Sequence, residues 1–194
     1  MTESEHNLTF KPLTPQTWSD FETLFGRSGA YGGCWCMWWR STRKEFEQRG
    51  NDGNKSAMRA IVQSGQPTGI LAYQGEIPVG WCSIAPRETY GSLERSPVLR
   101  RIDDQSVWSL VCFFVAKEFR RQGIAESLVR GAIEHVAEQG GRIIEAYPTV
   151  SSKNKLPPVS SFMGVPDLFL KAGFKEVARP SKSRMIVRYE IRST

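Results

Sequence analysis

The most restrictive stretch of the chain is Val107 to Val115, VWSLVCFFV, which is apolar at nearly every position. A strand with one wet face alternates apolar and polar residues; an unbroken run reads as a strand covered on both faces. A short basic loop follows it, Lys117-Glu118-Phe119-Arg120-Arg121-Gln122-Gly123. A helical pattern then begins at Ile124. Ile124, Leu128, Val129, Ala132, Ile133 and Val136 recur at spacings of three and four, and Gly140-Gly141 stops the pattern. Arg142 to Tyr147 reads as the next strand.

The rest of the chain supplies the layers such a strand needs. Leu8 to Leu13 alternates as a first strand. Thr14-Pro15 reads as a helix start, with Trp18, Phe21, Leu24 and Phe25 forming one apolar face and Gly26 ending it. Glu45 to Ser64 is helix-like, with a break near Asn51-Asp52-Gly53. Ile70 to Tyr73 and Val79 to Ile84 read as strands joined by the turn Gln74-Gly75-Glu76. The polar stretch Pro86 to Asp104 is expected to hold a short helix around Leu93 to Leu99. Pro148 to Pro158 reads as a polar loop, Val159 to Met163 as a strand, Asp167 to Ala172 as a short helix and Met185 to Ile191 as a last strand. The order predicts a mixed α/β domain around one sheet. With 194 residues, 40% apolar and 24% charged, one globular domain over 1–194 is expected, large enough to bury a core with no staple. Residues 1–6 are expected to be a flexible, polar N-terminus without a secretory pattern.

Charge and cysteines narrow the function classes. The net charge is +6, which suits an anionic partner. The basic residues are scattered and form no tail, so neither a nucleic-acid arm nor a membrane partner is expected, and no apolar run approaches a bilayer span. Of the four cysteines, Cys34 and Cys36 stand too close to staple anything useful, while Cys82 and Cys112 lie in apolar, strand-like runs. His6 and His135 lie at no metal-ligand spacing from a cysteine pair, so no metal is expected. Reduced thiols without a signal point to the cytoplasm.

The chemistry lies between the buried strand and its helix. Backbone N–H groups at a helix start lack partners, and the helix dipole adds positive character there. A diphosphate suits such a place. Gly123 lets the backbone approach it, Ala125 keeps the first turn slim, and Arg120 and Arg121 add charge-assisted donors. The loop lacks the Gly-Lys-Ser/Thr ending of a P-loop and the three-glycine spacing of a dinucleotide fingerprint. The competing reading is a plain basic turn with no ligand.

FFVAKEFRRQGIAESLV resembles the acyl-CoA signature of the GNAT superfamily of N-acetyltransferases. The hallmark there is Arg or Gln, two residues, Gly, one residue, then Gly or Ala; here it runs from Arg120 through Gly123 to Ala125. The succession of elements from Leu8 to Ile191, with Gly173-Phe174 after the late helix, is similar to that family's fold. The resemblance implies a central, mostly antiparallel twisted sheet of about six or seven strands flanked by helices. It implies acetyl-CoA as co-substrate and a small-molecule or peptide amine as acceptor. Backbone groups of Phe113 and Val115 would pair with the pantetheine arm. The loop of Arg120, Arg121, Gln122, Gly123, Ile124, Ala125 and Glu126 would hold the pyrophosphate, its N–H groups from Arg121 onward facing the phosphates. The thioester would lie where the strands ending at Val115 and Tyr147 splay apart.

Amine attack on a thioester requires the amine to lose a proton. Strand alternation puts Ile143, Glu145 and Tyr147 on one face. Some family members place a glutamate at the position of Glu145 as general base; the competing reading is a glutamate paired with an arginine. Asp103 and Asp104 are second candidates, acting through water. The position of the family's tyrosine acid is Phe169 here, which has no proton to give, so Tyr147 is the nearest substitute and Tyr31 a distant one. Tyr31, Trp35, Trp38 and Trp39, in YGGCWCMWWR, are candidates for an aromatic acceptor pocket, with a core-packed loop as the alternative. Arg40 or Arg87 could hold a carboxylate on the acceptor. Two other readings compete: a non-catalytic acyl-CoA-binding or partner-binding protein on the same fold, and a nucleic-acid module suggested by charge alone. A homodimer is compatible with the family resemblance.

Overall fold

The structure, a computed structural model, describes residues 8–150 and 162–192. Its centre is a seven-stranded sheet. In chain order the strands are β1 (Leu8–Pro12), β2 (Ile70–Gln74), β3 (Ile77–Pro86), β4 (Trp108–Val115), β5 (Ile143–Ala146), β6 (Lys175–Ser181) and β7 (Arg184–Glu190). In space they run β1-β2-β3-β4-β5-β7-β6, and all neighbours are antiparallel except β4 and β5. The helices are α1 (Trp18–Phe25), α2 (Arg43–Gln63), α3 (Gly91–Glu94), α4 (Ile124–Glu138) and α5 (Pro166–Lys171).

The apolar run of β4 is central because both its faces are covered. One face meets the buried stripe of α4, where Leu128, Val129, Ala132 and Val136 pack on Cys82, Ile84, Leu110 and Ile144. The other is covered by α1 and α2 through Trp18, Phe21, Phe25, Met58 and Val62. A third cluster, with Tyr90, Leu93, Val111, Tyr147 and Ile186, fills the far end. Gly131 sits mid-helix, where glycine costs about 1 kcal/mol relative to alanine. A Cβ there would stand 2.7 Å from Phe10 of β1, so the glycine lets α4 lie close to the sheet. Gly131→Ala is therefore expected to destabilise by about 1–2 kcal/mol in urea unfolding, its helix preference outweighed by overpacking. Equal or greater stability would show that Phe10 gives way.

The feature that positions the site is the parallel pair. β4 and β5 meet only where Trp108, Ser109 and Leu110 face Ile144, Glu145 and Ala146. Beyond Leu110 the two strands separate. Several expectations shift. The first helix starts at Trp18, because Thr14 to Thr17 closes as a turn in which Thr17 Oγ1 accepts from the Thr14 N–H at 2.9 Å. The break in α2 falls at Gly50 (φ 58°), one residue before the expected Asn51. In the polar stretch α3 starts at Gly91, two residues before the expected Leu93–Leu99 span, and overlaps it at Leu93 and Glu94. Of the expected strand Val159–Met163, residues 159–161 lie outside the described residues, and Phe162 and Met163 form a turn. The N-terminal residues 1–6 also lie outside them. No helix among the described residues is long and apolar enough to cross a membrane.

Candidate functional site

The loop between β4 and α4 is built around two left-handed residues, Arg121 (φ 63°) and Gly123 (φ 77°). Gly123 is the N-cap of α4 and brings no side chain to bond the first-turn N–H groups. The N–H groups of Ile124, Ala125 and Glu126 therefore open outward without intrahelical partners. Arg120 before them is extended (φ −71°, ψ 154°), and a turn whose successive N–H groups open to one side makes an anion-binding concavity. Arg120 is tied back, its Nε donating to the Val115 carbonyl at 3.0 Å, and Gln122 Nε2 donates to the Glu118 carbonyl at 3.1 Å. Arg121 stays exposed.

This loop forms one wall of a cavity of about 440 Å³. Val115 and Phe119 also line it, and Gly164, Val165, Asp167, Leu168 and Lys171, at α5, form the other wall. Arg120, Arg121 and Lys171 outnumber Glu126 and Asp167, so the lining favours an anion. Along the open side of β4, the Phe113 N–H donates to the Phe162 carbonyl at 2.7 Å. The backbone group expected to pair with a pantetheine arm is thus held by the chain itself. Phe169, in α5, is fully buried, packed on Phe113 and Phe174 with ring centroids 6.0 and 5.3 Å away.

Glu145 lies on the opposite face of the splay, in a closed polar network. Its Oε1 accepts from Arg87 Nη1 at 2.9 Å and from the Tyr147 hydroxyl at 2.7 Å. Its Oε2 accepts from Arg188 Nε at 2.8 Å. Arg87, 1% exposed, also reaches Tyr147, Glu94 and the Leu99 carbonyl. Tyr147 lies 2.7 Å from Ser109 Oγ. Arg188 continues to Asp103 through Nη1 at 2.6 Å and Nη2 at 3.0 Å. Glu145 is thus the arginine-paired glutamate, with both oxygens taken, and it does not line the cavity. Tyr147 is fully buried, and burial pushes its phenol well above the usual range.

The hydrogen bonds from Arg188 hold the Asp103 carboxyl far below its usual range. A carboxyl depressed in the folded chain stabilises it above the unfolded value of about 3.9 and loses that contribution as pH falls toward the folded value. The stability gap between the parent and Asp103→Asn is therefore expected to be constant above about pH 5 and to shrink on acidification. A gap unchanged down to pH 2 in acid unfolding would contradict the clamp.

A cradle at the start of α4, a sheet that opens beside it and a cavity against a late helix define the site. The family model of the acetyltransferase (GNAT) family matches residues 35–155. The chain belongs to the GNAT family. Solved structures agree in fold. The PaiA N-acetyltransferase from Thermoplasma acidophilum, in complex with coenzyme A, is 15% identical with a TM-score of 0.52, over 95% of this chain and 99% of that one. The ribosomal-protein-S18-alanine N-acetyltransferase from Escherichia coli is 11% identical with a TM-score of 0.52, over 96% of each. Arabidopsis thaliana NAA60, in complex with acetyl-CoA, is 14% identical with a TM-score of 0.50, over 95% and 100%. No curated protein matches the chain in sequence.

In this GNAT domain the aromatic segment is dispersed. Trp35 is buried in the second core cluster, stacked on Phe25 with centroids 5.5 Å apart, its Nε1 donating to Asn51. Trp39 packs on the third cluster instead. Trp38 is exposed and meets Phe46 edge-on, and Tyr31 is 69% exposed. The turn that separates them carries positive φ at Ala30, Trp35 and Cys36. Of the arginines considered for an acceptor carboxylate, Arg87 is fully engaged, whereas Arg40 stacks on Tyr90. Two groups went unread in the sequence: the α5 wall of the cavity and Arg188. Neither stands at a helical or strand spacing from the loop that would have flagged it.

Proposed function

We propose that this chain transfers an acetyl group from acetyl-CoA to a primary amine of a small molecule or peptide, by direct attack in a ternary complex. The observation that carries the reading is the uncapped, left-handed start of α4 opening on the 440 Å³ cavity between the end of β4 and α5. The N–H groups from Arg121 to Glu126 would hold the pyrophosphate, with Arg121 and Lys171 supplying charge. The pantetheine arm would run beside Val115 and take the Phe113 N–H in place of the Phe162 carbonyl.

The amine nitrogen attacks the thioester carbonyl carbon, the C–S bond breaks and CoA thiolate leaves. Glu145 and Tyr147 support this step by fixing β5 against β4, β7 and Arg87, so that the splay keeps its width. With their polar atoms already engaged, the ammonium proton goes to solvent. The four free cysteines suit a reducing cytoplasm.

The test is thiol release from acetyl-CoA across a panel of amines, with mass spectrometry of the acetylated product. Release that depends on one amine class supports transfer. The second reading, a non-catalytic acyl-CoA-binding protein, is favoured by buried Phe169 at the position of the family's acid. Saturable acetyl-CoA binding without release for any amine would select it.

A further inference from the structure

Two adjacent side chains on the turn before α2 hold buried donors that the fold does not use. Arg40 lies over the Tyr90 ring, 4.5 Å from its centroid, and its Nε and Nη2 are buried without a hydrogen-bond partner among the described residues. Trp39 Nε1 is buried in the same state. Guanidinium and indole nitrogens only donate, so each needs an acceptor. Leaving such a group bare is costly, more so when it is charged. Bare donors on neighbouring residues point to an acceptor that comes from outside the chain.

The turn holds these donors in place. The Arg40 N–H donates to the Met37 carbonyl at 3.0 Å, and the Ser92 N–H of α3 donates to the Trp39 carbonyl at 2.9 Å. The Ser92 hydroxyl donates to the Ser41 carbonyl, so α3 pins the backbone on both sides of Arg40. Nε and Nη2 stand on one edge of the guanidinium plane and match the two oxygens of a carboxylate. Arg87, Arg101 and Arg188 each find carboxylates within the chain. Arg40 pairs with none among the described residues, and the sequence of 151–161 contains no Asp or Glu.

The position suits an acceptor. Trp39 packs on the third cluster together with Cys112 and Phe162, and the Phe162 carbonyl takes the Phe113 N–H assigned above to the pantetheine arm. Arg184 borders the same cluster at Met163, half-buried, its Nη1 on the neutral Thr149 Oγ1 and Met163 Sδ, so the surroundings are positive. Arg40 and Trp39 are half-buried and Trp38 beside them is 42% exposed, so the turn meets solvent. Rotation of the Arg40 side chain opens its edge without moving the pinned backbone.

We propose that Arg40 anchors a carboxylate on the acceptor, with Trp39 Nε1 as a further donor, so that the amine acetylated belongs to an amino acid. This rests on the acetyl-transfer reading above. The carboxylate makes and breaks no bond; it holds the molecule while its amine attacks the thioester. A peptide's terminal amine is followed by an amide in place of the carboxylate, so peptides are poor acceptors.

The test is acetyl transfer from acetyl-CoA to the common L-amino acids, each paired with its carboxamide, with O-phosphoethanolamine and ethanolamine alongside. An amino acid is expected to be acetylated with a kcat/KM roughly 100-fold above that of its amide, which forfeits the charge-assisted pair. Arg40→Gln is expected to bring acid and amide level. Arg40→Lys, which keeps the charge but not the fork, is expected to leave a preference of about 10-fold. Acetyl-CoA affinity is expected to be unchanged in both. The melting temperature of Arg40→Gln is expected to equal or exceed the parent's, whereas loss of a structural arginine would lower it. Binding is read separately from the indole N–H resonance of Trp39, assigned with Trp39→Phe or, if that variant fails to fold, by its loss of response in Arg40→Gln. A shift with the acid and not with the amide supports the anchor even where no amine is acetylated, an outcome that counts against acetyl transfer alone. Amides accepted as well as acids, a preference for O-phosphoethanolamine, or no indole shift with any acid would overturn the proposal.

Discussion

Gly123→Trp is expected to abolish acetyl-CoA binding while the domain stays folded. A Cβ at Gly123 meets no heavy atom within 4 Å, so the indole enters the space in front of the first turn of α4 rather than the core. The φ of 77° adds a strain of about 1–2 kcal/mol, which a domain of this size tolerates. The ring would sit where the open N–H groups face their anion. Charge-assisted hydrogen bonds contribute about 1.5–3 kcal/mol each, so losing two weakens binding by roughly 100-fold or more. Gly123→Ala carries the strain without the bulk, and is expected to keep most of the affinity. A tryptophan variant that binds like the parent would move the phosphate site away from this loop.

Arg87→Leu is expected to produce the largest loss of stability, about 3–5 kcal/mol, seen as a fall in melting temperature of roughly 10 °C or more. Its guanidinium is 1% exposed and ties Glu94, Glu145, Tyr147 and the Leu99 carbonyl together. Removing it leaves Glu145 in the core with Arg188 as its remaining cation. A half-broken buried pair costs more than no pair. The double variant Arg87→Leu/Glu145→Leu should therefore recover part of the loss. A single-variant change below about 0.5 kcal/mol would mean that water reaches the network. The comparison also bears on catalysis: Glu145→Gln should lower stability more than turnover if the pair positions β5, and the reverse would restore it as a proton acceptor.

The elements nearest the site were the most legible. The unbroken apolar run of β4 and the three-and-four spacing of α4 each have one physical explanation, and the glycine between them marks a turn. β6 was missed because its residues, KEVARPS, are mostly exposed on an edge and include a proline, so neither burial nor alternation announces it. The partners of Glu145 were illegible for a different reason. Arg87 lies 58 positions before it and Arg188 lies 43 after it, and only the sheet order brings them to one carboxylate. The tryptophans of residues 35–39 show the same limit. Composition named an aromatic cluster, but three positive-φ residues decide which rings turn inward.

The most direct test of the account is calorimetric titration of the purified chain with acetyl-CoA, repeated with dephospho-CoA and with pantetheine. One saturable site per chain is expected, kept by dephospho-CoA, which retains the pyrophosphate, and lost with pantetheine, which has none. No saturable heat with acetyl-CoA, or equal binding of pantetheine, would contradict it and leave the loop before α4 as a basic turn without a ligand.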